Sequence, residues 1–181
     1  GSILTKLKIL NNMVNRIIKK FVKKSLNIYD VLSGKPTYGK FVIITRSRTG
    51  SNLLISLLNS NPKIMPYGEK FNRLGNKNCD EIYEEIFPKK SCKTIGFKLF
   101  YYHPLDSKDK SIWNKLKNDQ SIKIIHLQRK NLLRVHISRL IAGKTDKWTN
   151  TNGKEISLDA KQVHIDMEKL LADFETTNSH I

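Results

Sequence analysis

The short run Phe41-Val42-Ile43-Ile44-Thr45 constrains this chain more than any other feature. It is continuous in apolar character and rich in β-branched side chains. A strand of that kind needs cover on both faces, which an interior strand of a helix-covered parallel sheet provides. Arg46-Ser47-Arg48-Thr49-Gly50-Ser51-Asn52 follows directly, and Leu53, Leu54, Leu57 and Leu58 then recur at helical spacing until Asn59 to Pro62 ends the pattern. The segment therefore reads as buried strand, small polar loop, helix.

The rest of the chain repeats this alternation. Ile64 to Phe71 reads as a loop or short strand holding Gly68-Glu69, and Asp80 to Phe87 as a short helix stopped by Pro88. Thr94 to Tyr102 reads as a second strand closed by His103-Pro104, and Ile112 to Leu116 as part of a helix. Ser121 to Leu127 reads as a third, nearly continuous apolar strand, in which His126 is expected to be a buried structural residue. Asn131 is a suitable N-cap for a helix from Leu132 to Ile141. After the turn-rich stretch from Gly143 to Gly153, Ser157 is expected to cap one last helix. That helix carries Val163, Met167, Leu170, Leu171 and Phe174 on one face. Strands alternating with helices predict an α/β fold: an open, P-loop-like, mainly parallel sheet flanked by helices.

Residues 3–24 carry Ile3, Leu7, Leu10, Val14, Ile17 and Phe21 at alternating steps of four and three, with lysines between. This predicts a basic amphipathic helix. It either packs on its own domain, pairs with a second copy to give a homodimer, or lies on an anionic membrane surface. Ser33-Gly34-Lys35-Pro36 breaks the chain. The expected organisation is residues 1–35 as helix and linker, and 36–181 as the α/β domain.

Charge narrows the partners. The chain has 33 Lys+Arg against 16 Asp+Glu in 181 residues, a formal net charge of +17. Such an excess favours an anionic partner. The stacking motifs of RNA-binding folds are missing, so nucleic acid ranks below a small anionic ligand. Cys79 and Cys92 do not form a C-x-x-C pair, and no His/Cys/Asp cluster has metal-ligand spacing, so neither a disulfide scaffold nor a metal site is expected. No apolar run reaches the length of a membrane span, and the cytoplasm is the expected compartment.

The loop after the first strand has the chemistry of an anion site. Backbone N–H groups and the helix dipole meet at the helix start, Gly50 allows close approach of an oxygen, and Ser47, Thr49, Ser51 and Asn52 supply donors. Arg46 and Arg48 add planar donors suited to phosphate or sulfate. It is not a Walker A loop, which requires G-x-x-x-x-G-K-[ST], and this weakens the reading as a magnesium-nucleotide kinase. Arg129 falls at the carboxyl end of the third strand, with Ser138 on the helix that follows. Ligands of open parallel sheets bind at those strand ends, so Arg48 and Arg129 are expected to face one crevice.

Together these segments resemble the sulfotransferases that use 3′-phosphoadenosine 5′-phosphosulfate (PAPS), nearest to the bacterial carbohydrate type that acts on trehalose and nodulation factors. Phe41 to Leu54 looks like the family's phosphosulfate loop. The resemblance implies that Arg48, Thr49, Gly50, Ser51 and Asn52 hold the 5′-phosphosulfate. Ile124 to Ser138 is similar to the 3′-phosphate segment, with Arg129 and Ser138 as its grip. Gly68-Glu69-Lys70-Phe71 resembles the segment that supplies a catalytic carboxylate, Glu69. Gly96-Phe97-Lys98-Leu99 resembles the strand ahead of the acceptor pocket. The likeness spans residues 40–142. The family's later Tyr-Glu-rich strand has no counterpart here, so the chain is expected to be a truncated fragment lacking the C-terminal part, the product of an incomplete gene or a reduced variant of the family.

The implied reaction is sulfuryl transfer to a hydroxyl of a carbohydrate or small metabolite, without a metal. Glu69 is the first candidate for the base and His103 the second. Lys98 either assists charge stabilisation or is a strand lysine whose head reaches solvent. Trp148 and Phe100 are candidates for an aromatic lid over adenine. The alternatives are a P-loop-like nucleotide kinase and a non-enzymatic binder of nucleic acid or anionic membrane.

Overall fold

The computed structural model describes residues 13–15, 17, 18, 20–22, 25, 28, 38–87, 92–148 and 157–180. Four parallel strands form one sheet: β1 (Gly39–Thr45), β2 (Ile64–Tyr67), β3 (Thr94–Phe100) and β4 (Ile122–Leu127), in the order β2-β3-β1-β4. The helices are α1 (Ser51–Ser60), α2 (Cys79–Ile86), α3 (Ser111–Asn118), α4 (Leu132–Thr145), α5 (Leu158–Lys161) and α6 (Met167–Asn178). The fold is α/β.

The two interior strands explain the core. Register pairs Val42 with Phe97 and Ile44 with Leu99, which puts these residues on one sheet face. There Val42, Ile95, Phe97 and Leu99 join Cys79, Ile82, Tyr83 and Ile86 of α2 and Ile112 and Leu116 of α3 in the main hydrophobic cluster. Phe97 meets Phe71 at 5.1 Å between ring centroids. Each fully buried side chain of this size contributes roughly 2 kcal/mol of transfer free energy. Helix α2 starts cleanly because Asn78 and Glu81 form a reciprocal capping box.

The opposite face carries Phe41, Ile43 and Thr45 beside Gly96, Lys98 and Phe100. Gly96 is needed there. The Phe41 ring lies over it so closely that a β-carbon at 96 would come within 2.4 Å of the ring. Strand β2 lies at an edge, where Pro66 withholds its missing N–H from no ladder the sheet depends on.

Three expectations are corrected. Strand β4 is apolar but lies at the other edge of the sheet, and Ile124 is 57% exposed. His126 is exposed rather than buried, and its Nε2 pairs with the Tyr101 hydroxyl. The single helix expected after Ser157 is two. Ser157 caps only the one-turn α5, and Asp166 caps α6 by accepting from the N–H groups of Glu168 and Lys169. A second N-cap inside an apolar periodic stretch restarts the helix in a new phase. Leu170 is then buried while Met167 and Leu171 are exposed.

Of the expected helix over 3–24, the described positions 13–15, 17, 18 and 20–22 are helical and exposed. The other positions, and the expected linker at 33–36, lie outside the described residues.

Candidate anion-binding crevice

Two threonines set the geometry. Thr45 ends β1, and its hydroxyl lies 2.7 Å from both the Leu127 carbonyl and the Thr49 hydroxyl. The end of β1 is thereby tied to the end of β4 on one side and to the following loop on the other. The loop then turns through left-handed backbone at Arg48 (φ 67°) and at Gly50 (φ 90°). For arginine this costs about 1 kcal/mol, and such strain persists where surrounding contacts impose it. Those contacts are present. Arg48 Nε donates to Ser138 Oγ at 2.8 Å, Arg48 also donates to the Trp148 carbonyl, and Arg129 donates to the Arg48 carbonyl at 3.2 Å.

A crevice of about 1490 Å³ opens above these groups. Arg48, Gly50, Ser51, Asn52, Glu69, Lys98, His103, Arg129 and Ser138 all line it, so residues 81 apart in sequence share one wall. Thr49 does not line it, because its hydroxyl bonds inward to Thr45 and to the Arg46 carbonyl. Trp148 and Phe100 also line the crevice, Trp148 exposed and Phe100 buried.

Four arginines meet here in two different states. Arg46 was expected to face an anion beside Arg48. Instead its guanidinium is buried and bound to Asp173 (3.3 Å) and Thr177. Arg139 and His136 of α4 bind the same carboxylate, His136 at 3.0 Å. Burial pushes the Asp173 carboxyl up. The hydrogen bonds from Arg139 and His136 and the two guanidinium charges outweigh burial and hold it below the usual carboxylate range. Arg48 and Arg129 make no ion pair with a carboxylate among the described residues. Burial, and then the charges of Arg129 and Arg139, lower the Arg48 pKa. Arg48 and Arg129 thus crowd two cationic groups together without a counter-charge among the described residues.

At the other end of the crevice Lys98 Nζ, 2% exposed, donates to Asn52 Oδ1 at 2.6 Å and to Glu69 Oε1 at 2.7 Å. Lys98 therefore does not reach solvent. It links the loop to the carboxylate. Glu69 Oε2 lies 3.9 Å from His103 Nε2. His103 is fully buried, and its Nδ1 accepts from the Phe100 N–H at 3.3 Å, so the neutral ring carries its proton on Nε2. That Nε2 has no hydrogen-bond partner among the described residues. Burial lowers the His103 pKa to about 4; Glu69 opposes the shift, and Lys98 and Lys110 add to it.

The sequence reasoning missed Asp173, His136 and Arg139. The available signal was the i, i+3 spacing of His136 and Arg139, which puts both on one face of α4, together with a lone acid between Leu171 and Phe174. No known protein-family model, curated protein or solved structure matches this chain.

Proposed function

We infer that this chain transfers a sulfuryl group from PAPS to a hydroxyl of a carbohydrate or small-metabolite acceptor. The supporting observation is the adjacency of Arg48 and Arg129, two guanidinium groups without a carboxylate partner among the described residues, in the same crevice as a carboxylate held by a buried lysine. The donor set fits a nucleotide with anionic groups at both ends. Arg48, Ser51, Asn52 and the N–H groups at the start of α1 suit the phosphosulfate, and Arg129 with Ser138 suits the 3′-phosphate.

When bound, PAPS supplies an activated sulfuryl group: its sulfur–oxygen bond to phosphate breaks as the acceptor oxygen bonds to sulfur, leaving adenosine 3′,5′-bisphosphate (PAP). The chain's own tasks are alignment, charge stabilisation and removal of one proton. Glu69 receives the acceptor's proton on Oε2, the oxygen not engaged by Lys98. Lys98 fixes the carboxylate and adds positive charge beside Asn52. His103, neutral at physiological pH, presents Nε2–H toward Glu69 and closes the floor of the crevice.

The test is binding and turnover on the folded chain. PAP is expected to raise the melting temperature, and magnesium-ATP is not. Glu69→Gln is expected to keep the PAP response and lower turnover by about a thousandfold. An unchanged melting temperature at saturating PAP overturns the reading. A response to magnesium-ATP instead of PAP replaces it with nucleotide kinase chemistry.

A further inference from the structure

We propose that the N-terminal helical segment lies on an anionic lipid surface, apolar side inward. The described positions Met13, Ile17, Phe21 and Ile28 recur at steps of four and seven, and Val14, Ile18 and Val22 at steps of four. At 3.6 residues per turn these are two adjacent rows on one side of a helix. Every one of them is exposed, with Phe21 at 69%. The rest of the described chain does not cover them, so the packing of this helix on its own domain is not what buries its apolar side.

Charge selects the occupant. The sequence intersperses Arg16, Lys19, Lys20, Lys23 and Lys24 among these apolar positions, and the first acidic residue is Asp30. A second copy of the same helix would bring lysine against lysine, with no Glu or Asp to pair across the seam. Nucleic acid would satisfy the lysines and leave both apolar rows in water. An anionic bilayer interface satisfies both, since acyl chains take the apolar rows while lipid phosphates meet the flanking cations. No described helix is long and apolar enough to cross a membrane.

The experiment floats the full chain with vesicles of phosphatidylcholine alone and with vesicles also containing phosphatidylglycerol. Capture by the anionic vesicles is expected to be at least about tenfold stronger, and to weaken as salt is raised. The double variant Ile17→Asp with Phe21→Asp is expected to lose anionic capture by about tenfold while keeping its melting temperature. Lys19→Glu with Lys20→Glu is expected to lose the preference for phosphatidylglycerol. Equal capture by both vesicles, or none by either, overturns the proposal. So does a dimer in sedimentation velocity that the double aspartate variant dissociates, or RNA binding tighter than capture by the anionic vesicles that the double aspartate variant keeps. The PAP response of the double aspartate variant is read in parallel, so a failure of the crevice reading is seen separately from a failure at the helix.

Discussion

Arg46 and Arg139 line the same crevice as Arg48 and Arg129, yet the two pairs have different partners. The first pair is closed by Asp173, which draws β1's loop, α4 and α6 together. The second pair is open, its partners among the described residues being hydroxyl and carbonyl oxygens. The difference teaches that counting arginines in a loop does not locate an anion site. What decides is whether the fold brings a carboxylate to each guanidinium. Where it does, the charge is structural; where it does not, the charge remains available to a ligand.

Four substitutions break or sharpen that contrast. The largest effect is expected from Asp173→Asn, which leaves the buried Arg46, the half-buried Arg139 and His136 without their shared anion. Unfolding in urea is expected to show a loss of about 3 kcal/mol. An unchanged midpoint would mean the closed pair is not structural. Next comes Arg48→Gly, which relaxes the left-handed backbone at φ 67°. Its unfolding free energy is expected to stay within about 1 kcal/mol of the parent. Titration calorimetry should find PAP binding about thirtyfold weaker, or about 2 kcal/mol.

Ser138→Asp converts the open pair into a closed one, because Ser138 Oγ already sits 2.8 Å from Arg48 Nε. Stability is expected to rise by about 0.5 kcal/mol and PAP affinity to fall about tenfold. A Ser138→Asp chain that binds PAP as before would separate Arg48 from the anion site. The smallest effect concerns His103. Its folded pKa of about 4 lies below the ordinary 6.5, so the native state binds fewer protons than the unfolded chain in that window. Stability is therefore complete above about pH 6.5 and declines as pH falls toward 4. His103→Gln is expected to flatten part of that decline in urea midpoints measured across the window. His180, whose pKa burial also lowers, contributes a slope of the same sign that remains.

Much of the scaffold was legible because burial on two faces leaves a plain mark. The run from Phe41 to Thr45 lies in the interior strand β1, and the run from Thr94 to Tyr102 is the interior strand β3 as far as Phe100, with Tyr101 and Tyr102 in a turn beyond it. Strand β4 carries an equally apolar sequence without the burial, and composition cannot distinguish an edge from an interior when the apolar residues are the same. The split between α5 and α6 was hidden because Asp166 reads as an ordinary polar interruption until its side chain is seen capping. The juxtaposition of Arg48 with Arg129 was accessible from the rule that parallel strands present their carboxyl ends together. The partnership of Arg46 with Asp173 was not, since it depends on where a helix 127 residues later docks. Likewise, nothing local distinguishes His103, fully buried, from His126, exposed.

The bare flank of β4 has a practical consequence. Ile124 and Ile125 stand beside a row of backbone groups that no described strand occupies, and such a row templates the addition of foreign β-structure. Lys123 and the formal net charge of +17 oppose such pairing between copies of the chain by charge repulsion. High ionic strength screens that repulsion while strengthening apolar association, so concentrated salt is the condition in which this sheet would begin to grow from one molecule into the next.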